Sequence, residues 1–167
     1  AHRLGMAVLK YELEDLSIRY LDPTGYKEIE TQLQARFSRH REFLAATQRR
    51  IEERMAQEGI RCTITSRTKH IYSIYWKMYP QHKTLDEIFD LYALRIIVDS
   101  ISDCYNALGL IHDMYNPVPG RFKDYISTPK PNGYQSLHTT AIGREGIPFE
   151  VQIRTWEMHE TAEYGIA

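Results

Sequence analysis

The pattern of apolar and polar residues divides the chain into a helical first part and a second part in which helices and strands alternate. Apolar residues recur at three- and four-residue spacing over residues 2–20, which predicts an amphipathic helix that ends at Asp22-Pro23. A longer helix is predicted over residues 24–58, and Gly59 follows it where glycine is favoured after a helix. We therefore expect residues 1–58 to form a helical arm.

The period of the pattern changes after Gly59. Ile60, Cys62 and Ile64 alternate with polar residues, as in a strand that buries one face. Further strands are predicted over residues 94–98, 137–142 and 148–154, with helices over 66–78, 102–115 and 155–164. Strands interleaved with helices indicate an α/β or α+β domain over residues 59–167.

Residues 120–138 lack both periodicities and contain two prolines and an Asn-Gly turn, which predicts a loop up to about Ser136. The loop carries three cationic side chains and the ring of Tyr134, a combination that suits a phosphorylated ligand with a planar base. A rigid surface loop with solvated cations is the alternative. The cations are Arg121, Lys123 and Lys130.

Two further polar sets accompany this loop. Lys69, Ser73 and Lys77 are spaced to share one face of the predicted helix, so they would form one polar stripe, which Arg67 extends. Asp90 and Glu150 adjoin neighbouring strands, where two carboxylates can hold a Mg²⁺ ion that bridges phosphate oxygens.

Each set also has a structural alternative. The lysines can be a solvated helix face, and Asp90 can be a helix or turn cap. By strict alternation Glu150 lies on the polar face of its strand, where it can simply pair with Arg154.

Composition narrows the function classes. A net charge of −1 speaks against nucleic-acid binding driven by bulk charge. Cys62 and Cys104 form no CxxC pair, and the chain contains no apolar run of transmembrane length. We expect a cytoplasmic protein without a membrane partner.

Four ordered segments carry a resemblance to a known family. They are SRTKHIYSIYWKM (66–78), DLYALRIIV (90–98), RFKDYISTPKPNGYQSLHTT (121–140) and FEVQIRTWEMHETAEYGIA (149–167). Together they resemble the synthetase domain of the RelA/SpoT family of alarmone enzymes. The resemblance implies a polymerase-β-like nucleotidyltransferase fold, with a mixed sheet flanked by helices.

The implied reaction moves pyrophosphate from ATP to the ribose 3′-hydroxyl of GDP or GTP and releases AMP, with Mg²⁺ as the cofactor and Mn²⁺ as the alternative metal. Residues 1–58 resemble, more loosely, the helices that join the family's hydrolase and synthetase domains. The RFKD sequence at 121–124 is similar to the RxKD form of bifunctional members, which implies a Rel-type parent. Ribosome contact is expected only through domains outside this chain.

The resemblance also implies roles for individual residues. On the ATP side, Arg67 and Arg95 would sandwich the adenine, while Lys69 and Lys77 would hold the phosphates, with Ser73 on the same helical face. These five residues form the implied ATP site.

The implied metal ligands are Asp90 and Glu150, and Glu150 would also activate the 3′-hydroxyl as general base. The guanine nucleotide would stack on Tyr134, in the loop that also supplies Arg121 and Lys123. Further implied contacts to that nucleotide come from Lys130, Asn132 and His138.

Two other functions are alternatives. A nucleotidyltransferase that releases pyrophosphate usually has a Gly-Ser followed by a DxD pair, whereas Leu91 and Tyr92 follow Asp90. A nucleotide-sensing module without turnover would not need both Asp90 and Glu150.

Overall fold

The computed structural model describes residues 7–165, apart from the side chains of residues 7, 8 and 37–39. Helices α1 (Ala7–Leu21) and α2 (Pro23–Gln57) form the first part of the chain. The predicted beginning of the first helix, at residue 2, lies outside the described residues. The carboxylate of Asp22 caps α2 by accepting from the Gly25 amide at 2.9 Å.

The remaining elements form a sheet with helices packed against it. In chain order the strands are β1 (Cys62–Thr68), β2 (Tyr92–Val98), β3 (Asn116–Pro117), β4 (Lys123–Asp124), β5 (Leu137–Ile142) and β6 (Pro148–Thr155). The helices are α3 (Ile71–Met78), α4 (Ile101–Met114) and α5 (Trp156–Tyr164), and a 3₁₀ turn spans Leu85–Glu87.

The strands lie in the order β1-β2-β6-β5-β3, and β4 also pairs with β5. Strands β2 and β6 are parallel, while the other pairs are antiparallel. This arrangement confirms the predicted mixed sheet flanked by helices.

The predicted helix over residues 66–78 is wrong in its first part. Residues 66–68 continue β1, since antiparallel pairing with β2 runs on to Thr68 opposite Tyr92. The helix begins only at Ile71, where the Asp15 carboxylate accepts from the Tyr72 amide at 2.9 Å. Arg67 is therefore a strand residue, and Lys69 lies in the connection before the helix.

The loop predicted over residues 120–138 contains the two-residue strand β4, which the pattern did not indicate. Lys123 and Asp124 pair with His138 and Leu137 of β5. This pairing depends on a distant strand, so no local periodicity predicts it.

One face of the sheet is apolar and is covered by α2 and α4. Phe149 on β6 packs edge-to-face against Phe43 of α2 and against Tyr115 at the end of α4. Ile29, Ile51 and Met55 of α2 are fully buried in the same core as the strands. The division of the chain at residue 58 into an arm and a domain stays a prediction.

Within residues 7–165, no helix combines the length and the apolar content needed to cross a membrane.

Candidate active site

The second face of the sheet is polar, and the strand register gathers several predicted site residues on it. Arg67 pairs with Ala93, which pairs with Glu150. In the next row Arg95 pairs with Gln152, which pairs with His138. Paired residues point to the same face of a sheet, so these side chains share one surface.

Arg67 and Arg95 are diagonal neighbours on this face, because Arg95 is opposite Thr65, two residues before Arg67. Such neighbours are about 7–8 Å apart. That is the spacing of the two backbone positions, and both arginine side chains line the same cavity. A guanidinium can stack on an aromatic ring, so a planar base in this cavity could contact either arginine. The register brings the two arginines to one face, and their role in binding adenine stays a prediction.

Lys69 and Lys77 meet at Asp90, although the predicted helical stripe was wrong. The Lys69 ammonium lies 2.9 Å from one Asp90 oxygen, and the Lys77 ammonium donates to both oxygens at 2.8 and 2.9 Å. Burial alone would raise the pKa of Asp90, but the hydrogen bonds and charges of the two lysines lower it to about 2. Asp90 is thus a partly buried carboxylate held between two cations.

Glu150 does not pair with Arg154, so the structural alternative for this residue is wrong. One Glu150 oxygen accepts from the Gln152 side-chain amide at 2.9 Å and lies 3.5 Å from Nδ1 of His138. The side chain of Glu150 is 14% exposed, so it is a mostly buried carboxylate on the polar face.

The loop before β5 is anchored on that same face. The Tyr134 hydroxyl lies 2.8 Å from Nε2 of His138, and the Lys130 ammonium lies 5.1 Å from the centre of the Tyr134 ring. Burial lowers the pKa of His138 to about 4, although the Glu150 charge acts in the opposite direction. Asn132 shapes the turn, since its side-chain oxygen accepts from the Tyr134 amide at 3.1 Å.

The other predicted residues lie farther along the same elements. Ser73 lies one helical turn before Lys77 in α3. Lys123 is an exposed residue of β4 opposite His138. The guanidinium of Arg121, also exposed, lies 5.7 Å from the ring centre of Phe89, next to Asp90.

A cavity of about 1150 Å³ opens on the polar face. Its walls bring together Arg67, Arg95, Asn132 and Tyr134 among the predicted residues. The volume is slightly larger than the about 300–1000 Å³ of ordinary ligand pockets, so a nucleotide can be accommodated.

Most other residues of this cavity were not among the predicted site residues, and Gln152, Arg154 and Glu163 are three of them. The alternation in β6 does carry a signal for the first two, since it places them on the same face as Glu150. Arg154 is only 1% exposed, which is rare for a charged residue and marks a specific role. Glu163 follows on α5, and its position over the sheet depends on how that helix packs.

The carboxylates suit a metal that arrives with phosphates rather than a metal held by protein alone. Among the described residues, no group of three or more His, Cys, Asp or Glu side chains could hold a metal ion. Mg²⁺ is usually bound by one or two carboxylates together with substrate phosphates and water. Asp90 and Glu150 fit that donor set.

A mixed sheet with a cationic polar face, two sheltered carboxylates and an adjoining cavity defines an α/β protein with a polar, cation-lined site on its sheet. Residues 66–167 match the family described as "Region found in RelA / SpoT proteins". The chain belongs to this RelA/SpoT family, as its sequence motifs predicted.

Individual relatives agree with this assignment. Over its full length the chain is 50% identical to the GTP pyrophosphokinase of Streptomyces coelicolor and covers 20% of that protein. It is likewise 49% identical to the bifunctional (p)ppGpp synthase/hydrolase RelA of Mycobacterium tuberculosis and covers 23% of it. The chain thus spans between a fifth and a quarter of the length of these curated relatives.

A solved structure shares the fold. The small alarmone synthetase 2 of Bacillus subtilis is 28% identical, with a TM-score of 0.63 over 77% of this chain and 75% of that protein. The predicted nucleotidyltransferase-like fold is therefore confirmed.

Proposed function

We propose that the chain is the alarmone synthetase portion of a bifunctional RelA/SpoT enzyme. It would transfer pyrophosphate from ATP to the 3′-hydroxyl of GDP or GTP and release AMP. The relatives named as GTP pyrophosphokinase and (p)ppGpp synthase/hydrolase support this activity.

The order of the strands is the main structural support for the proposed activity. The two arginines proposed for adenine lie on β1 and β2, whereas His138 and the loop with Tyr134 belong to β5 and the segment before it. Glu150 lies on β6, between these strands. One face therefore has room for a donor nucleotide on one side and an acceptor nucleotide on the other, with a carboxylate between them.

The donor side supplies cations for the triphosphate. Like unit charges about 4 Å apart repel by about 4 kcal/mol at an effective dielectric near 20, so two nucleotides meet only where cations screen their phosphates. Lys69 and Lys77 are held in place by Asp90 before any phosphate binds. A triphosphate that takes over the lysines would leave the Asp90 oxygens available as metal ligands.

A divalent cation, Mg²⁺ or Mn²⁺, held by Asp90 and Glu150 would neutralise charge on the transferred phosphates. Glu150 would accept the proton of the 3′-hydroxyl as that oxygen attacks the β-phosphorus of ATP, and AMP would leave. The neutral His138 ring next to Glu150 adds no positive charge that would lower its basicity.

Product analysis tests the proposal. The protein is incubated with ATP, GDP and Mg²⁺, and the nucleotides are separated by chromatography. We expect AMP and a guanosine tetraphosphate in equal amounts. Release of pyrophosphate, with an adenylated guanosine product, would show instead that the chain is an ordinary nucleotidyltransferase.

A further inference from the structure

A partly buried ion cluster lies on the polar face beside the proposed adenine site, and its three side chains are exposed to different degrees: 31% for Glu163, 22% for Arg95 and 2% for Arg154. One oxygen of Glu163 lies 3.2 Å from the Arg95 guanidinium, as an ion pair, and accepts from the Arg154 guanidinium at 3.2 Å. The three residues come from α5, β2 and β6. Glu163 is therefore a bridge from the end of α5 to two adjacent strands.

The charges of this cluster do not cancel. Two guanidinium groups share one carboxylate, and Nε of both Arg95 and Arg154 is buried without a hydrogen-bond partner among the described residues. Burial and the nearby Arg154 charge lower the pKa of Arg95, while the Glu163 charge acts in the opposite direction. The carboxylate is thus what allows the two cations to remain side by side.

The two arginines differ in how firmly they are held. The Arg154 side chain is 2% exposed, and its guanidinium also lies 2.8 Å from Nδ1 of His159. The Arg95 side chain is 22% exposed, and Glu163 provides its one ion pair within the described chain. Loss of the carboxylate would therefore displace Arg95 rather than Arg154.

We infer that Glu163 is a positioning residue for ATP, because it holds the Arg95 guanidinium in the cavity that Arg67 also lines. The inference rests on the proposed function, in which these two arginines sandwich the adenine. A guanidinium stacks on a ring only when its plane is held parallel to that ring, and an ion pair at one edge supplies that restraint. Glu163 itself does not need to touch the nucleotide.

The test compares Glu163→Gln with Glu160→Gln, an exposed glutamate on the same helix. Affinity for a non-hydrolysable ATP analogue and for GDP is measured by calorimetry, and steady-state kinetics give KM for each substrate. For Glu163→Gln we expect ATP-analogue affinity to fall and KM for ATP to rise about tenfold, within the range of couplings between contacting residues. GDP affinity and kcat should stay near wild type, as should every property of Glu160→Gln.

A double-mutant cycle separates positioning of Arg95 from a general effect on α5. In an Arg95→Met background, Glu163→Gln should cause no further loss of ATP-analogue affinity, since the residue that it positions is gone. An equal loss with and without Arg95, or equal losses for ATP and GDP, would overturn the inference. Unchanged or tighter ATP-analogue binding by Glu163→Gln would overturn it as well.

The same measurements also distinguish failure of this inference from failure of the proposed function. If the wild-type protein makes no alarmone, the proposed function is wrong, and the inference about Glu163, which rests on it, is wrong as well. If Arg95→Met alone leaves ATP-analogue affinity intact, the adenine sandwich and this inference fall together. If Arg95→Met weakens binding while Glu163→Gln does not, only the inference about Glu163 fails.

Glu163→Asp provides a second variant, because it keeps the charge but shortens the side chain. It should show a smaller loss of affinity than Glu163→Gln, and for the ATP analogue alone.

Discussion

The hydroxyl of Tyr134 lies 2.8 Å from Nε2 of His138, and Nδ1 of the same ring lies 3.5 Å from a Glu150 oxygen. A neutral imidazole can accept from the tyrosine at Nε2 and direct its Nδ1 hydrogen toward the carboxylate. The ring proposed for guanine is thereby linked, through one residue, to the carboxylate proposed as the general base.

This link leads to a prediction for the guanine site. Tyr134→Ala removes the aromatic platform and should weaken GDP binding by about 1–3 kcal/mol, the usual contribution of a base stacked on an aromatic ring. ATP-analogue affinity should change little. Calorimetry with each nucleotide measures both effects.

Tyr134→Phe is the matched control, because it keeps the ring and loses only the hydroxyl that contacts His138. We expect its GDP affinity to lie much closer to wild type than that of Tyr134→Ala. If the two variants lose GDP affinity equally, the hydroxyl and not the ring face is responsible. If ATP-analogue affinity falls as far as GDP affinity, the proposed division of the site is incorrect.

Local patterns predicted much of the architecture and some of the site. Alternation along β6 placed Glu150 on the polar face without any knowledge of its neighbours, and the structure agrees because β6 pairs regularly on both sides. Gly59 ends the long helix region with a φ of 71°, a conformation that favours glycine. Both predictions rest on residues that are close together in the chain.

Local sequence patterns do not predict contacts between residues that are far apart in the chain. Asp90 holds Lys69 and Lys77, which precede it by 21 and 13 residues, and this arrangement depends on where β1 ends and α3 begins. The sequence placed both lysines on one helix, whereas tertiary pairing extends the strand to Thr68. The bridge by Glu163 depends likewise on how α5 packs over β2 and β6, which no helical periodicity specifies.

The pairing of Asp90 makes its contribution to stability dependent on pH. Its pKa is about 2 in the folded protein, below the ordinary value of 3.8, so its stabilising effect is present above pH 4 and is lost as the pH falls toward 2. Asp90→Asn should therefore lower the free energy of unfolding by about 2 kcal/mol at pH 7. The difference from wild type should shrink steadily between pH 4 and pH 2.

Urea unfolding without added nucleotide or metal, at a series of pH values, measures this difference. Asp86→Asn is the control, because Asp86 pairs with Arg36 while its side chain is 78% exposed. An exposed pair contributes about 0–1 kcal/mol, so this control should have a small effect at every pH. A difference between wild type and Asp90→Asn that does not vary with pH would contradict the predicted stabilisation by Lys69 and Lys77.

The two thiols should differ in reactivity. Burial raises the pKa of Cys104 to about 12, and Cys104 is fully buried in α4. Burial also raises the pKa of Cys62, but Cys62 is only half-buried on the outer strand β1. At pH 8 iodoacetamide should modify Cys62 well before Cys104, since only the thiolate reacts and the reagent must reach it.

Mass spectrometry of a time course gives the two rates. Cys62→Ser should leave a protein that reacts slowly until urea is added, whereas Cys104→Ser should keep the faster site. Rapid modification of Cys104 in the folded protein would show that the core around α4 opens readily.

The Glu150 carboxylate gives the most direct test of the proposed chemistry. Glu150→Gln keeps the size of the side chain and an oxygen that can accept from Gln152, but it loses the charge and the basicity. If Glu150 accepts the proton of the attacking hydroxyl, kcat should fall by about 10²–10⁴-fold. Stability should change by about 1 kcal/mol or less, because among the described residues Glu150 contacts His138 and Gln152 and forms no ion pair with a lysine or arginine.

Turnover and urea unfolding are measured on the same preparations of wild type, Glu150→Gln and Glu145→Gln. Glu145 is an exposed residue of the turn between β5 and β6, so its variant controls for the loss of a nearby negative charge. We expect Glu145→Gln to match wild type in both measurements. A Glu150→Gln protein that turns over at a near-normal rate would exclude Glu150 as the general base, whereas loss of turnover together with unfolding would assign it a structural role. Only a folded protein with a collapsed kcat fits a carboxylate that takes part in the transfer itself.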